Sequence, residues 1–229
     1  MEDNNNEKKT NSDIENDNHK NLEIFNQKYN TNLIIGANII DVSKKNLGNE
    51  GLHLLVEALS NNFNNINNLN LSNNNISNIT PLLKINLENI VELDLSRNNI
   101  DNIDIFEKLN LIHLETLNLI GNKLKEFKSL TKAKLLSLQN LFLGINKISD
   151  ISDLEFMNCP NLDKIDLNQN DIRDITVFER INFSQLHEIS FANNYFDHEI
   201  IKNNDIISNL RKKGCKVIIW GTTKQELSE

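Results

Sequence analysis

From Ile66 onward the apolar positions repeat one phrase. It reads INNLNLSNNNI from Ile66, IVELDLSRNNI from Ile90, LETLNLIGNKL from Leu114, LQNLFLGINKI from Leu138, LDKIDLNQNDI from Leu162 and LHEISFANNYF from Leu186, each 24 residues after the last. A constant period of this size marks an array of stacked units and takes precedence over any local reading. Within a unit, two apolar residues flank one polar residue, as Leu117 and Leu119 flank Asn118. That alternation predicts a short strand with both apolar side chains on one face. Stacked copies then pair into a parallel sheet, whose buried face must be covered by the rest of each unit.

The remainder of the unit keeps the period. Eight residues after the shared Asn stand Leu82, Phe106, Leu130, Leu154 and Phe178. Eleven after it stand Ile85, Leu109, Ala133, Met157 and Ile181, and thirteen after it Leu87, Leu111, Leu135, Cys159 and Phe183. These columns predict a continuous apolar spine, with a short helix or 3₁₀ turn in each unit. Pro81 suits the first turn of such an element, where a missing N–H is tolerated. The Asn itself, at Asn74, Asn98, Asn122, Asn146, Asn170 and Asn194, sits where the chain turns inward. A buried amide there can bond backbone groups of its own and the adjoining turn, so the six are expected to form a ladder.

The unit L-x-x-L-x-L-x-x-N-x-L resembles the leucine-rich-repeat family, over about Ile39 to Trp220. The resemblance implies an α/β solenoid, or horseshoe, with a concave parallel sheet, short convex helices or 3₁₀ turns, and longer helices in the terminal units. Ile39–Leu59 is a longer unit, with Ile40 and Val42 as strand residues and GLHLLVEALS at helical spacing. It is similar to the ribonuclease-inhibitor type of repeat, but Lys45 occupies its ladder position, so the ladder is expected either to begin weakly or to recruit Asn46 with a local distortion. The far end is long again, with a helix expected over Asp197–Lys213, a stop at Gly214 and a last strand at Lys216–Trp220.

Three regions follow. Residues 1–21 are polar and expected to be disordered. Residues 22–221 form the repeat domain with capping ends; LEIFNQKY from Leu22 is expected to be a short helix over the open edge of the spine. Residues 222–229 form a polar tail.

Composition narrows the partners. The net charge of −8 lacks the basic stripe that phosphate backbones require, so nucleic acid is disfavoured. Asn makes up roughly a fifth of the chain, a bias read as drift at tolerant positions outside the ladder. Sequons at Asn70, Asn75, Asn78 and Asn182 are expected by chance in such a composition. Two cysteines, no apolar leader in MEDNNNEKKTNSDIEN and no run long enough for a membrane span predict an intracellular, cytoplasmic, monomeric protein with no membrane partner. Cys159 lies in an apolar column and reads as a core thiol.

Catalysis has no sequence support. His19, His53, His113, His187 and His198 show no metal-ligand spacing, and no nucleophile elbow or phosphate-cradling glycine loop is present. Neither cofactor nor metal is expected. Residues pointing off the sheet away from the spine line the concave face, and there a polar surface of Glu92, Asp94, Arg97, Asn118 and Asp166 is interrupted by Ile120, Phe142 and Ile145, beside Gly121 and Gly144. An apolar cluster rimmed by polar residues marks an interaction site, although singly exposed apolar residues are ordinary. Glu92, Asp94 and Arg97 read either as an orienting rim or as a solvated surface. The expected function is non-catalytic binding of a protein partner centred on Phe142, with Trp220 either extending that face or capping it. The family resemblance also admits a regulatory subunit of an enzyme, either phosphatase-targeting or acting on a small GTPase.

Overall fold

Three-residue strands paired along their whole length form the frame. The computed structural model describes residues 11–60, 65–181, 183–195 and 201–219. Its strands are β1 (Ile39–Asp41), β2 (Asn68–Asn70), β3 (Glu92–Asp94), β4 (Thr116–Asn118), β5 (Asn140–Phe142), β6 (Lys164–Asp166), β7 (Glu188–Ser190) and β8 (Lys216–Ile218). They make one eight-stranded parallel sheet in sequence order. The register places Leu69, Leu93, Leu117, Leu141, Ile165 and Ile189 in one row, each the buried centre of its strand. Leu71, Leu95, Leu119, Leu143, Leu167 and Phe191 make a second buried row. The apolar alternation therefore faces the core in the register read from the sequence.

On the convex side each short unit has a 3₁₀ helix, at Thr80–Lys84, Asp104–Glu107, Lys128–Thr131, Ser152–Phe156 and Thr176–Glu179. Pro81 occupies the first turn of the first one. The three convex columns are buried, apart from Ile181 and Phe183 at the C-terminal end, which are half-buried. Two further columns, Ile76, Ile100, Leu124, Ile148 and Ile172, and Ile79, Ile103, Phe127, Ile151 and Ile175, complete the spine. At about 1.5–3 kcal/mol for each large apolar side chain removed from water, this interior dominates the favourable side of folding. Cys159 sits within it, and burial pushes its thiol up to about 12, so it behaves as a small hydrophobe. Cys215 is a second buried free thiol.

The ladder forms as a chain of two-sided amides. Asn122 Nδ2 donates to Leu95 O in the preceding unit and to Leu119 O in its own, both at 3.0 Å, while its Oδ1 accepts the Ile100 N–H at 3.0 Å. Asn98, Asn146, Asn170 and Asn194 repeat this arrangement with their own neighbours. Asn146 is half-buried and the other five are buried. The direction of these bonds explains Lys45. Each amide serves the unit before it: Asn74 Nδ2 donates to Val42 O, and its Oδ1 takes the N–H groups of Lys45 and Leu47. The first unit has no predecessor to serve, so it needs no Asn. Asn46 does not replace one; it adopts φ +54° and its Oδ1 accepts from Asn75 Nδ2.

The ends differ from expectation in extent. Helix α1 spans Asn11–Tyr29, so the disorder expected through residue 21 is corrected for residues 11–21; residues 1–10 lie outside the described residues. Leu22 and Phe25 are buried as part of the core, and α1 packs on α2 (Gly48–Leu59). With one turn anchored in this way, adding helical residues upstream fixes one residue per new hydrogen bond, which low apolarity does not prevent. Helix α2 buries Leu52, Leu55, Val56 and Leu59 on one stripe. Helix α3 spans Ile201–Lys212 and ends at Gly214, whose φ of +89° suits the left-handed stop. Residues 196–200, Trp220 and the tail 222–229, on which other expectations fell, lie outside the described residues. Among the described residues no helix is long and apolar enough to cross a membrane.

Replacing Asn122 by Ala removes three hydrogen bonds and leaves the buried Ile100 N–H without its acceptor, while Leu95 O and Leu119 O each keep the bond from a neighbouring ladder Asn. The substitution is expected to cost about 1–3 kcal/mol. Thermal or urea denaturation checks this, and a midpoint equal to that of the wild type sinks the ladder's energetic role.

Candidate functional site

Four rows of residues run across the concave face, one position per unit. The first contains Asn68, Glu92, Thr116, Asn140, Lys164, Glu188 and Lys216, aligned by the strand register. Its members bond to one another. Asn68 Nδ2 donates to Glu92 Oε2 at 2.8 Å, and Asn140 Nδ2 to Thr116 Oγ1 at 3.2 Å. Glu188 is held between Lys164 at 2.5 Å and Lys216 at 2.8 Å, and hydrogen bonds from these two ammonium groups keep its carboxyl below the usual carboxylate range.

The second row is Asp41, Asn70, Asp94, Asn118, Phe142, Asp166 and Ser190. Its Asp and Asn side chains do not simply reach into solvent. Each turns back onto the backbone N–H two residues on: Asp41 to Ser43, Asn70 to Ser72, Asp94 to Ser96, Asn118 to Ile120 and Asp166 to Asn168, at 2.8–3.1 Å. These are Asx turns, which close the bend after each strand. Ser190 has no such acceptor, and there the neighbouring Asn168 Oδ1 reaches across to take the Ala192 N–H at 2.7 Å and the Ser190 hydroxyl. Phe142 also lacks an acceptor.

The fourth row, one residue before each ladder position, is left-handed throughout: Lys44, Asn73, Arg97, Gly121, Ile145, Gln169 and Asn193 have φ between +52° and +71°. Gly and Asn tolerate this conformation; for β-branched Ile145 it is strained. Ile145 is also 45% exposed, so its side chain gains little packing in return. Strain of this kind is typically held at functional positions.

The sequence-predicted site thus divides. Phe142 is half-buried on the concave face, one strand beyond Asn118 in the second row. Ile120 is half-buried in the third row (Ser43, Ser72, Ser96, Ile120, Gly144, Asn168 and Ala192), alongside Gly144 of the next unit, and Ile145 is exposed at the rim. Asn118, Asp94 and Asp166 are caps as well as surface groups. Glu92 is exposed and paired with Asn68, while Arg97 forms no salt bridge among the described residues, so it is not joined to Glu92 or Asp94. Asp166 is half-buried, and desolvation raises its carboxyl above the usual range against the opposing pull of the Asn168 N–H. Gly144 explains part of that burial. A Cβ at Gly144 would stand 3.1 and 3.2 Å from the two carboxylate oxygens, so glycine lets the Asp166 side chain lie over this backbone.

A second feature lies outside the sequence-predicted site. At the N-terminal end of the face, Ile39, Asp41, Asn68, Asn70, Glu92 and Asp94 line a shallow depression of about 150 Å³, and Ile39 is 63% exposed. Its place directly before buried Ile40 already put it in the outward row.

Comparison with known proteins agrees with this geometry. Residues 136–180 match the family model described as Leucine Rich repeats, two copies. Among solved structures, the chain is similar to internalin C2 of Listeria monocytogenes, with TM-score 0.60, 23% identity, 85% of this chain and 80% of that one covered. It is also similar to an internalin, inlF, of the same organism, with TM-score 0.50, 18% identity, and 90% and 68% covered. No curated protein matches by sequence. The fold is a leucine-rich-repeat solenoid of the α/β class.

Two substitutions test the strain and the burial. Ile145→Asn places a residue suited to φ +54° and is expected to raise stability by about 1 kcal/mol, read from the denaturation midpoint. Asp166→Asn keeps the cap acceptor but removes a half-buried charge. Because the folded carboxyl titrates higher than the unfolded one, the wild type loses stability as pH rises through that window. The Asn variant is therefore expected to be the more stable at neutral pH, with the difference shrinking on acidification.

Proposed function

We propose that this protein is a non-catalytic interaction module that binds another protein on its concave face, centred on Phe142. One observation carries the reading. In a second row otherwise made of residues that cap their own turns or are capped by a neighbour, Phe142 gives up the cap for an aromatic surface. Ile145, three residues on, accepts strain to present an aliphatic one. Aromatic residues in the centre of a polar-rimmed patch are the usual anchors of protein interfaces. The rim is supplied by Asn118 and Asp166 on either side, and Glu92, Asp94 and Arg97 lie further along the same face.

The likeness to leucine-rich-repeat and internalin folds supports a protein-interaction module in general terms, and fold alone chooses no partner. Two buried free thiols suit a reducing, intracellular setting. The captured protein is to be identified by affinity capture with the wild type and with a Phe142→Ala/Ile145→Asn variant in parallel. An enzyme whose activity changes on binding marks a regulatory subunit, and an unaltered one marks an adaptor.

Phe142→Ala is expected to weaken the captured partner by about 2 kcal/mol, or about thirtyfold in Kd, by calorimetry or surface binding. Unchanged affinity in a variant with a wild-type circular dichroism spectrum removes this site.

A further inference from the structure

The missing cap leaves a mark on the backbone. Ser43, Ser72, Ser96, Ile120 and Asn168 donate their N–H groups to the Asx residue two positions earlier, and Ala192 donates to Asn168. The equivalent group of the β5 unit is the N–H of Gly144, and it has no protein acceptor among the described residues. Gly144 is buried, and a buried N–H without an acceptor is rare and unfavourable. Its carbonyl, by contrast, is fully engaged, accepting from Gly121 N at 2.9 Å and Asn146 Nδ2 at 3.2 Å.

An acceptor stands next to this donor without using it. The Asp166 carboxylate lies over Gly144, within van der Waals reach of where a Cβ would be. Its Oδ1 is committed to Asn168 N–H, and its Oδ2 has no hydrogen bond among the described residues. Among the described residues the Gly144 N–H and the Asp166 Oδ2 thus both lack a hydrogen bond, and the carboxylate lies over the glycine that carries the first, in the turn that joins Phe142 to Ile145. A peptide group matches this pair, since it carries one acceptor and one donor in fixed geometry and is flanked by side chains. An anionic ligand does not match it, because it would bring a second negative charge against a carboxylate already destabilised by burial.

We infer that the docked partner presents a backbone peptide group to the β5–β6 turns: its carbonyl accepts the Gly144 N–H, its N–H donates to Asp166 Oδ2, and a neighbouring apolar side chain packs on Phe142 and Ile145. This rests on the docking reading above and names the chemistry of its occupant, an uncharged, extended polypeptide segment. The partner's carbonyl takes the place that an Asp or Asn side chain holds in the other units, so binding completes the row of capped turns.

The test uses the full-length ¹⁵N-labelled protein and N-methylacetamide, a minimal peptide group, with acetate as the anionic comparison. On titration the Gly144 amide proton is expected to move downfield and saturate, while that of Gly121, already bonded to Gly144 O, stays in place. Acetate at neutral pH is expected to leave both unmoved. Phe142→Asn, which restores the cap of the sister units, is expected to abolish the Gly144 response. A Gly144 response of the same size in Phe142→Asn overturns the inference. So does a Gly144 proton that stands upfield before any addition, since the Phe142 ring face then caps it. If a partner is lost on Phe142→Ala while Gly144 stays unmoved, the amide assignment fails and the docking site stands. If Gly144 responds but no partner depends on Phe142, the docking site fails, and with it the assignment of the amide to a protein.

Discussion

The turn that follows each strand buries backbone N–H and C=O groups that no strand or helix can reach, and the ladder asparagines are what satisfy them. Each such amide has two donors and an acceptor, and in the β4 unit all three are used, on Leu95 O, Leu119 O and Ile100 N. An apolar side chain there would leave the buried Ile100 N–H without its acceptor and take one of two amide donors from each of Leu95 O and Leu119 O, at about 1–3 kcal/mol in all. An Asp would offer no donor to the two carbonyls. The period of the array therefore depends on one side chain per unit, and the apolar columns follow because each turn so held brings the next strand into register beside the last.

The ladder also gives the array a direction. Every amide serves the unit before it, which is why the β1 unit dispenses with an Asn and why Lys45 there is free to extend its ammonium to Asn30 O at 2.7 Å. The edge this leaves is covered by the packing of α1 on α2, with Phe25 and Leu22 inside the core. A solenoid whose stability is a sum over neighbouring interfaces needs such covers, because an end unit has only one neighbour.

How much of this was legible depended on how narrowly the physics restricts the residue. At the ladder position only Asn satisfies the hydrogen bonds, so six identical residues at one spacing disclosed both the fold and the register. Columns that require only apolarity were legible as a set, with Ala133, Met157 and Cys159 recognisable by position. The left-handed row was not. Lys44, Arg97, Gln169 and Ile145 share a backbone conformation and no chemistry, since the turn imposes φ > 0 and accepts whatever residue bears it. The Asx row was read as polar surface because a capping Asp and a solvated Asp are the same letter; only the bond from Asp94 to Ser96 N–H, and its counterparts, tells them apart. Helix α1 runs further upstream of Leu22 than the apolar spacing discloses, because a helix docked at one turn continues through residues that would not nucleate it.

Repetition is also what makes the departures informative. A lone strained isoleucine, an uncapped turn or a half-buried carboxylate in an irregular protein has many explanations. Here six sister units show what each position does when left to local physics, and three departures adjoin one another: Phe142 without a cap, Gly144 N–H without an acceptor among the described residues, and Ile145 at φ +54°. Each lowers the stability of the β5 unit or leaves it unimproved, and the remedy in each case is a residue already used elsewhere in the same row. Local rules broken together, without gain to the fold, are expected where function requires it. An array tolerates this well, because the interfaces on either side of β5 remain apolar and complete, with Leu117, Leu141 and Ile165 all inside. The stability forgone in one unit then becomes surface and hydrogen-bonding capacity open to a partner.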